Sequence, residues 1–111
     1  MAYVPTRIVG PYNLIDAYQS IYIAEQKTIV KQILLSNVTG TAASVRIAIT
    51  PFSGTPSSTN AIMQDVEIEA NSTLVADIVQ VLNVLDKLHA RASISGAVNI
   101  TISGIVEDGT E

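Results

Sequence analysis

The chain has no cysteine and no tryptophan, and it has one histidine and one phenylalanine among 111 residues. Without cysteine, a disulfide framework, a thiolate metal site and a cysteine nucleophile are excluded. Charged residues make up only 14% of the chain, whereas about 25% is usual. Because so few charges are available to solvate a small domain, we expect part of the surface to be covered by other protein.

Positive charge is scarce and is not clustered. The six basic residues are scattered, and the net charge at pH 7 is −4. A nucleic-acid binder normally carries a clustered basic face, so we expect no nucleic acid as partner. No apolar run approaches the ~20 residues of a membrane span, and the N-terminus, MAYVPTRIVGPYN, lacks the layout of a secretory signal. We therefore expect no membrane partner and synthesis in the cytoplasm.

What the sequence does contain is alternation of apolar and polar residues with a period of two. Alternating or apolar segments of strand length recur, with turn signals about every ten residues and no amphipathic helix of useful length. The hydrophobic fraction of 48% is ample for the core of one domain. The pattern predicts an all-β fold, an antiparallel β-sandwich with a jelly-roll-like arrangement of seven or eight strands.

Residues 28–50 are predicted to organise this fold as a β-hairpin. Residues 37–41 supply the Asn, Gly and Thr of a tight reversal. The second arm alternates cleanly, but in residues 28–35 Val30 and Leu34 fall on the face opposite the other aliphatic side chains. A strand that is apolar on both faces is either central in its sheet or pressed against a second surface, such as another subunit.

The alternation predicts three regions: an extended N-terminal arm at 1–13, a sandwich domain at 14–107 and a flexible polar tail at 108–111. Pro5 disfavours a helix and suits an arm or an edge strand. Gly10-Pro11-Tyr12-Asn13 is a turn signal.

Two further segments carry predictions about local structure. Residues 81–87 have apolar side chains at helical spacing, which predicts a single helical turn. Residues 88–94 alternate strictly, with Ile94 predicted to point inward and His89 outward.

Side chains with catalytic or metal-binding chemistry are few. His89 has no second histidine for a metal pair and is predicted to be exposed or at an interface. Asp65, Glu67 and Glu69 share one face of a predicted strand, about 7 Å apart. A cation site needs converging oxygens, so a solvated acidic stripe is the favoured interpretation and a cation site the alternative. No serine-hydrolase or phosphate-loop motif occurs, and we expect no enzyme activity, metal or cofactor.

Residues expected to bind a partner lie in the arm and in the loop 51–60. That loop is rich in Pro, Ser and Thr and contains the only phenylalanine of the chain. A plain connector is the favoured interpretation of the loop, and a contact loop is the alternative. All four tyrosines fall within the first 22 residues, where they are expected to pack or anchor the arm. The predicted partner-binding residues are Tyr3, Val4, Pro5, Arg7, Ile8, Tyr12 and Phe52.

Two strand-and-turn patterns support a family resemblance over residues 21–106. The first comprises Lys27, Thr28, Val30, Lys31, Ile33, Leu35 and Asn37, followed by the T-G-T-A stretch at 39–42. The second comprises Ala92, Ser93, 95–99 and 101–104, near the end of the chain. With these patterns the chain resembles small virion structural proteins of tailed bacteriophages.

The resemblance implies a structural component of the virion, foremost a capsid decoration (cement) protein that bridges capsid subunits. Such proteins are often trimers or dimers, so the implied partners are the major capsid protein or another virion protein and further copies of this chain. An arm at 1–13 could add a strand to a neighbour's sheet. The alternative is a neck or tail-fibre attachment module, or a receptor- or glycan-binding module of a tail; the low aromatic content of 5% favours decoration.

Overall fold

Nine β-strands and no helix are found in residues 3–57 and 59–107, the part of the chain that the computed structural model describes. All strand pairs are antiparallel, which confirms the predicted all-β sandwich. The strands are β1 (Tyr3–Asn13), β2 (Gln19–Ile23), β3 (Thr28–Asn37), β4 (Ala43–Thr50), β5 (Ala61–Ile68), β6 (Thr73–Ala76), β7 (Gln80–Leu82), β8 (Lys87–Ala92) and β9 (Val98–Glu107).

The strands form two sheets. Sheet I has the order β1-β9-β3-β6, with β7 also paired to β3, and sheet II has the order β2-β8-β4-β5. β6 pairs with residues 33–36 of β3 and β7 with residues 28–30. β6 and β7 therefore act as one interrupted edge strand, and the nine segments fill eight strand positions.

The core lies between the two sheets. Alternation places Ala90, Ala92, Val98, Ile100 and Ile102 inward, as predicted. Burial of large aliphatic side chains there supplies the main stabilisation of such a fold. The largest buried side chains come from both sheets and from the loop after β1: Leu14, Ile33, Leu35, Ile47, Ile68, Leu82, Leu88, Ile100 and Ile102.

The predicted central hairpin is wrong in its pairing, although both of its strands exist. β3 belongs to sheet I and β4 to sheet II, so residues 38–42 carry the chain from one sheet to the other. The apolar faces of the two strands meet across the core instead of lying side by side. Turn chemistry indicates a reversal, but it does not tell whether the strands pair by hydrogen bonds or face each other.

The buried side chain of Asn37 fixes this crossing. Its Nδ2 donates to the carbonyl oxygens of Thr41 and Ile68, at 2.9 and 3.0 Å. Its Oδ1 accepts from the backbone N–H and the hydroxyl of Thr39, at 2.9 and 2.8 Å. One amide group thus satisfies polar atoms of the crossing and of β5.

β3 is a central strand that changes phase at Lys31. The register passes from the pair Val30–Gly104 to the pair Gln32–Ser103, which leaves Lys31 as a β-bulge. Even-numbered positions are buried before the bulge, and odd-numbered positions are buried after it. The bulge therefore keeps Val30 before it and Ile33 and Leu35 after it on the inward face. Ile29 and Leu34 lie on the outward face.

A second bulge, at Ile8 of β1, lies against the same part of β9. A Cβ atom placed on Gly104 would overlap the carbonyl oxygen of Ile29 and would lie 2.9 Å from Cδ1 of Ile8. The glycine is required here by the close approach of both neighbouring strands.

Residues 3–13, predicted as an arm, form edge strand β1, which pairs with β9 from Tyr3–Glu107 to Asn13–Asn99. The turn predicted at 10–13 is wrong: Gly10 and Pro11 fall in a register gap inside β1. An edge strand tolerates proline because its outer side needs no ladder hydrogen bonds. Residues 1, 2 and 108–111, including the predicted tail, lie outside the described residues.

Two smaller predictions are also wrong. The helical turn at 81–87 is replaced by β7 and a tight turn, in which Leu85 has a φ of +74°. The spacing misled because Ile78 and Leu82 point towards the core at strand spacing, while Val81 and Leu85 are exposed. Ile94 lies beyond the end of β8 and is 40% exposed instead of pointing inward.

We expect Gly104→Ala to lower the free energy of unfolding by about 3 kcal/mol, because the new methyl group would displace the backbone of β3. Gly40→Ala is the matched control, since a Cβ there meets nothing within 4 Å, and a change within about 0.5 kcal/mol is expected. Urea unfolding of both variants measures the difference. Equal stabilities of the two variants would contradict the spatial requirement at Gly104.

We also expect Asn37→Ala to cost about 2–3 kcal/mol, because it removes the partner of the part-buried N–H of Thr39 and of the buried carbonyl oxygen of Ile68. The adjacent Ser36→Ala removes only the hydroxyl contact to Thr73, 3.1 Å long and at the surface, and should cost under about 1 kcal/mol. Thermal unfolding followed by circular dichroism compares the two. A smaller loss for Asn37→Ala than for Ser36→Ala would show that the crossing is held by other contacts.

Candidate functional site

The predicted partner-binding residues of the arm are distributed along β1. Val4, Pro5 and Arg7 are exposed, whereas Ile8 is half-buried against the core. The hydroxyl of Tyr12 donates to Oε1 of Gln19 at 2.6 Å, which joins the edges of the two sheets. The side chain of Tyr3 lies outside the described atoms.

Phe52, the remaining predicted partner-binding residue, belongs to the loop after β4. Its ring is 54% exposed, and Nζ of Lys87 lies 4.6 Å from the ring centroid. This is a cation–π contact on sheet II, whereas the other predicted residues belong to sheet I. The structure therefore does not gather the predicted residues into one site.

The outward side of sheet I carries an apolar face that sequence reasoning located only in part. In the register, Ile29 lies opposite both Val81 and Ile105, and Leu34 lies opposite Val75. Val75 and Val81 are 50% and 51% exposed. We call these five residues the apolar face; the aliphatic pattern of β3 indicated its centre.

Further exposed aliphatic residues lie next to β7, at the same edge of sheet I. Val79, between β6 and β7, is 61% exposed, and Val84 and Leu85, in the turn after β7, are 57% and 49% exposed. In the sequence, the signal for these residues was the pair of valines at alternate positions, Val79 and Val81. The valines could not be joined to Ile29 and Leu34 before the register was known.

The outward side of sheet II carries a polar cleft of about 60 Å³. Arg46 and Arg91 lie directly opposite each other in the β4–β8 register. Asp65 of β5 accepts two hydrogen bonds from Arg46, from Nε at 2.6 Å and from Nη2 at 3.1 Å. We call this the arginine cleft, and its lining residues are Ser44, Arg46, Asp65, Arg91, Ala92 and Ser93.

The predicted acidic stripe lies on the exposed side of its strand, but its first member has a partner. Asp65 occupies a bulge with φ +53°, and the hydrogen bonds from Arg46 hold the pKa of Asp65 below its ordinary value. The same contact raises the pKa of Arg46. Across residues 3–57 and 59–107, no three His, Cys, Asp or Glu side chains come together in a group that could hold a metal ion.

His89 lies on the outward side of sheet II, as predicted, but it is not exposed. It is only 7% accessible, opposite Ala48 of β4 and Ser20 of β2. Its Nε2 lies 2.8 Å from the hydroxyl of Thr50, which is also buried. Strand alternation could not predict this burial. Gly54, in the loop after β4, lies close to Thr50.

Comparisons with known proteins identify no relative. No family model, no curated protein and no solved structure matches this chain. In the described part of the chain, no helix is long and apolar enough to cross a membrane.

We expect the protein to lose stability as the pH falls from about 7 to about 5 because of His89. Burial, with a smaller contribution from the charge of Lys87, lowers the pKa of His89. The unfolded chain then takes up the proton first, near its ordinary pKa of about 6.5, so acid favours unfolding until the pH falls below the folded pKa. Urea unfolding across this range measures the slope.

His89→Gln is the variant that checks this assignment. Glutamine can still hydrogen-bond to Thr50 but does not titrate, so the free energy of unfolding should change less between about pH 7 and about pH 5. Lys87→Gln should reduce the slope only slightly, since it removes the smaller cause. An undiminished slope in His89→Gln would assign the pH dependence to other groups.

Proposed function

We propose that this chain is a structural virion protein of a tailed bacteriophage, a capsid decoration protein that stabilises the head by bridging capsid subunits. The resemblance in the sequence suggests the class, and the apolar face of sheet I is the observation that carries the proposal. It is a surface suited to contact with other protein, on a chain that carries few charges.

The arrangement of the apolar face distinguishes it from ordinary exposed aliphatic residues. Single exposed apolar side chains are common on soluble proteins, but here Val81, Ile29 and Ile105 lie side by side across three strands, and Leu34 and Val75 form a second pair farther along β3. Contiguous apolar patches mark sites of contact with proteins or other ligands. Both exposed valines sit at the edge of the patch, where a partner could reach them without any change in the fold.

The order of the strands also supports the proposal. With β6 and β7 counted as one strand, only the β4–β5 connection stays within a sheet, and the others cross between sheets. We take this to be a double-sheet jelly roll, an architecture used by viral capsid and lectin domains. The fold thus agrees with a capsid role while leaving the function to be decided by the surfaces.

The proposed mechanism is thermodynamic and involves no reaction. A protein that binds the assembled shell but not free subunits lowers the free energy of the shell by mass action. Copies of this chain, as a dimer or trimer, would contact the major capsid protein or another virion protein through the apolar face. The chain would be made in the cytoplasm of the bacterial host and would reside in the virion.

We expect Val81→Asp to weaken binding to phage heads by at least about tenfold, because a carboxylate would be buried in the contact without a partner. Val38→Asp is the matched control, since Val38 is 56% exposed in the crossing loop, away from the apolar face. Sedimentation velocity measures self-association, and co-sedimentation with heads lacking the protein measures binding. Equal effects of both variants, or a wild-type monomer that ignores heads, would contradict the proposal.

A receptor- or glycan-binding module of a phage tail is the second candidate, and the arginine cleft favours it. Cζ of Arg91 lies 5.7 Å from the ring centroid of Tyr18, which places an aromatic ring beside charged hydrogen-bond donors. A ring with a few polar groups around a depression is typical of small-ligand sites. A glycan array decides between the candidates, since specific saccharide binding without binding to heads would favour the tail module.

A further inference from the structure

We infer that the arginine cleft binds one small, singly charged oxyanion, a carboxylate or a sulfate monoester. The inference rests on the geometry of Arg46, Arg91 and Asp65 on the outward side of sheet II. It is independent of the apolar face, which lies on the other sheet.

Two like charges occupy one cross-strand pair. Arg46 and Arg91 are direct partners in the β4–β8 register, and like charges placed opposite each other destabilise a sheet. Asp65 offsets only one of the two positive charges. An anion between the guanidinium groups would remove the remaining repulsion.

Both guanidinium groups are already held in place. Asp65 holds Arg46 through two hydrogen bonds. Nη2 of Arg91 donates to the carbonyl oxygen of Asp16 at 2.7 Å, and the ring of Tyr18 lies against the same guanidinium. Because the side chains are ordered before binding, a ligand loses less free energy to their immobilisation.

Hydrogen-bond donors remain for a ligand. A guanidinium has five N–H donors, and within residues 3–57 and 59–107 the side-chain bonds of this pair are two from Arg46 and one from Arg91. Ser44 and Ser93 line the same cleft. Planar guanidinium groups bind carboxylate and sulfate-like oxygens in a bidentate manner, which gives such contacts their strength.

The surroundings limit the charge of the ligand. Glu67 lies opposite Ser44 in the β4–β5 register, Asp65 lines the cleft, and Asp16 adjoins it through its carbonyl oxygen. These carboxylates would repel a polyanion. A volume of about 60 Å³ likewise suits one oxyanion group and not an extended chain.

Titration with sodium methyl sulfate and sodium acetate, at constant ionic strength balanced with chloride, tests the inference. We expect saturable shifts of the Nε–H resonances of Arg46 and Arg91 in ¹H–¹⁵N spectra. A third arm uses a peptide with blocked termini and one aspartate. Tighter binding of this peptide than of acetate would identify a protein side chain as the source of the oxyanion, whereas equal binding would identify the free ion.

Three variants make the assignment specific. Arg91→Gln should weaken binding at least about tenfold, and Arg91→Lys should lose less, because it keeps the charge but not the bidentate geometry. Lys31→Gln is the matched control: it makes the same change of charge on sheet I and should bind as the wild type does. Circular dichroism confirms that each variant is folded.

Three results would overturn the inference. The resonance shifts could grow linearly with salt without saturating, chloride could reproduce them, or Arg91→Gln could leave them unchanged. Loss of binding to heads in Val81→Asp does not bear on it, since that variant alters the opposite sheet. The two proposals therefore fail separately.

Discussion

The close approach of Gly104 to the carbonyl oxygen of Ile29 allows β3 and β1 to bulge on either side of β9. A shift of one residue turns every later side chain of a strand to the other face. The bulge at Lys31 uses this property to keep both halves of β3 facing the core. Without the space left by Gly104, either the aliphatic residues before Lys31 or those after it would face solvent.

Alternation in the sequence predicted the strands well, because most of them keep one phase along their length. β8 and β9 have the inward and outward faces that a period of two indicates, whereas β5 changes phase at its bulge. Predictions failed where the chain breaks that period or changes sheet: at the bulge of β3, in the gap at 10–11 and in the turn after β7. The hairpin prediction at 38–42 failed for another reason: Asn, Gly and Thr suit a hairpin and a crossing between sheets equally well.

The candidate surfaces were less predictable than the strands because they depend on register. Arg46 and Arg91 are partners only because β4 and β8 pair, and nothing near either residue in the sequence reveals this. Val81 joins Ile29 for the same reason. His89 shows a further limit, since it is buried although it lies on the outward side of its strand.

The edges of both sheets have a feature in common. β1 is bulged at Ile8, β2 is irregular at Ile21, β5 is bulged at Asp65, and the edge formed by β6 and β7 is broken at 77–79. A strand from another molecule needs an unbroken row of backbone donors and acceptors to extend a sheet. Within the described residues none of the four edges offers one over its full length, so sideways growth into fibres is disfavoured. If copies associate, contact through the outward faces of the sheets is therefore the favoured geometry. Such contact can close into a ring or cap with a fixed number of subunits.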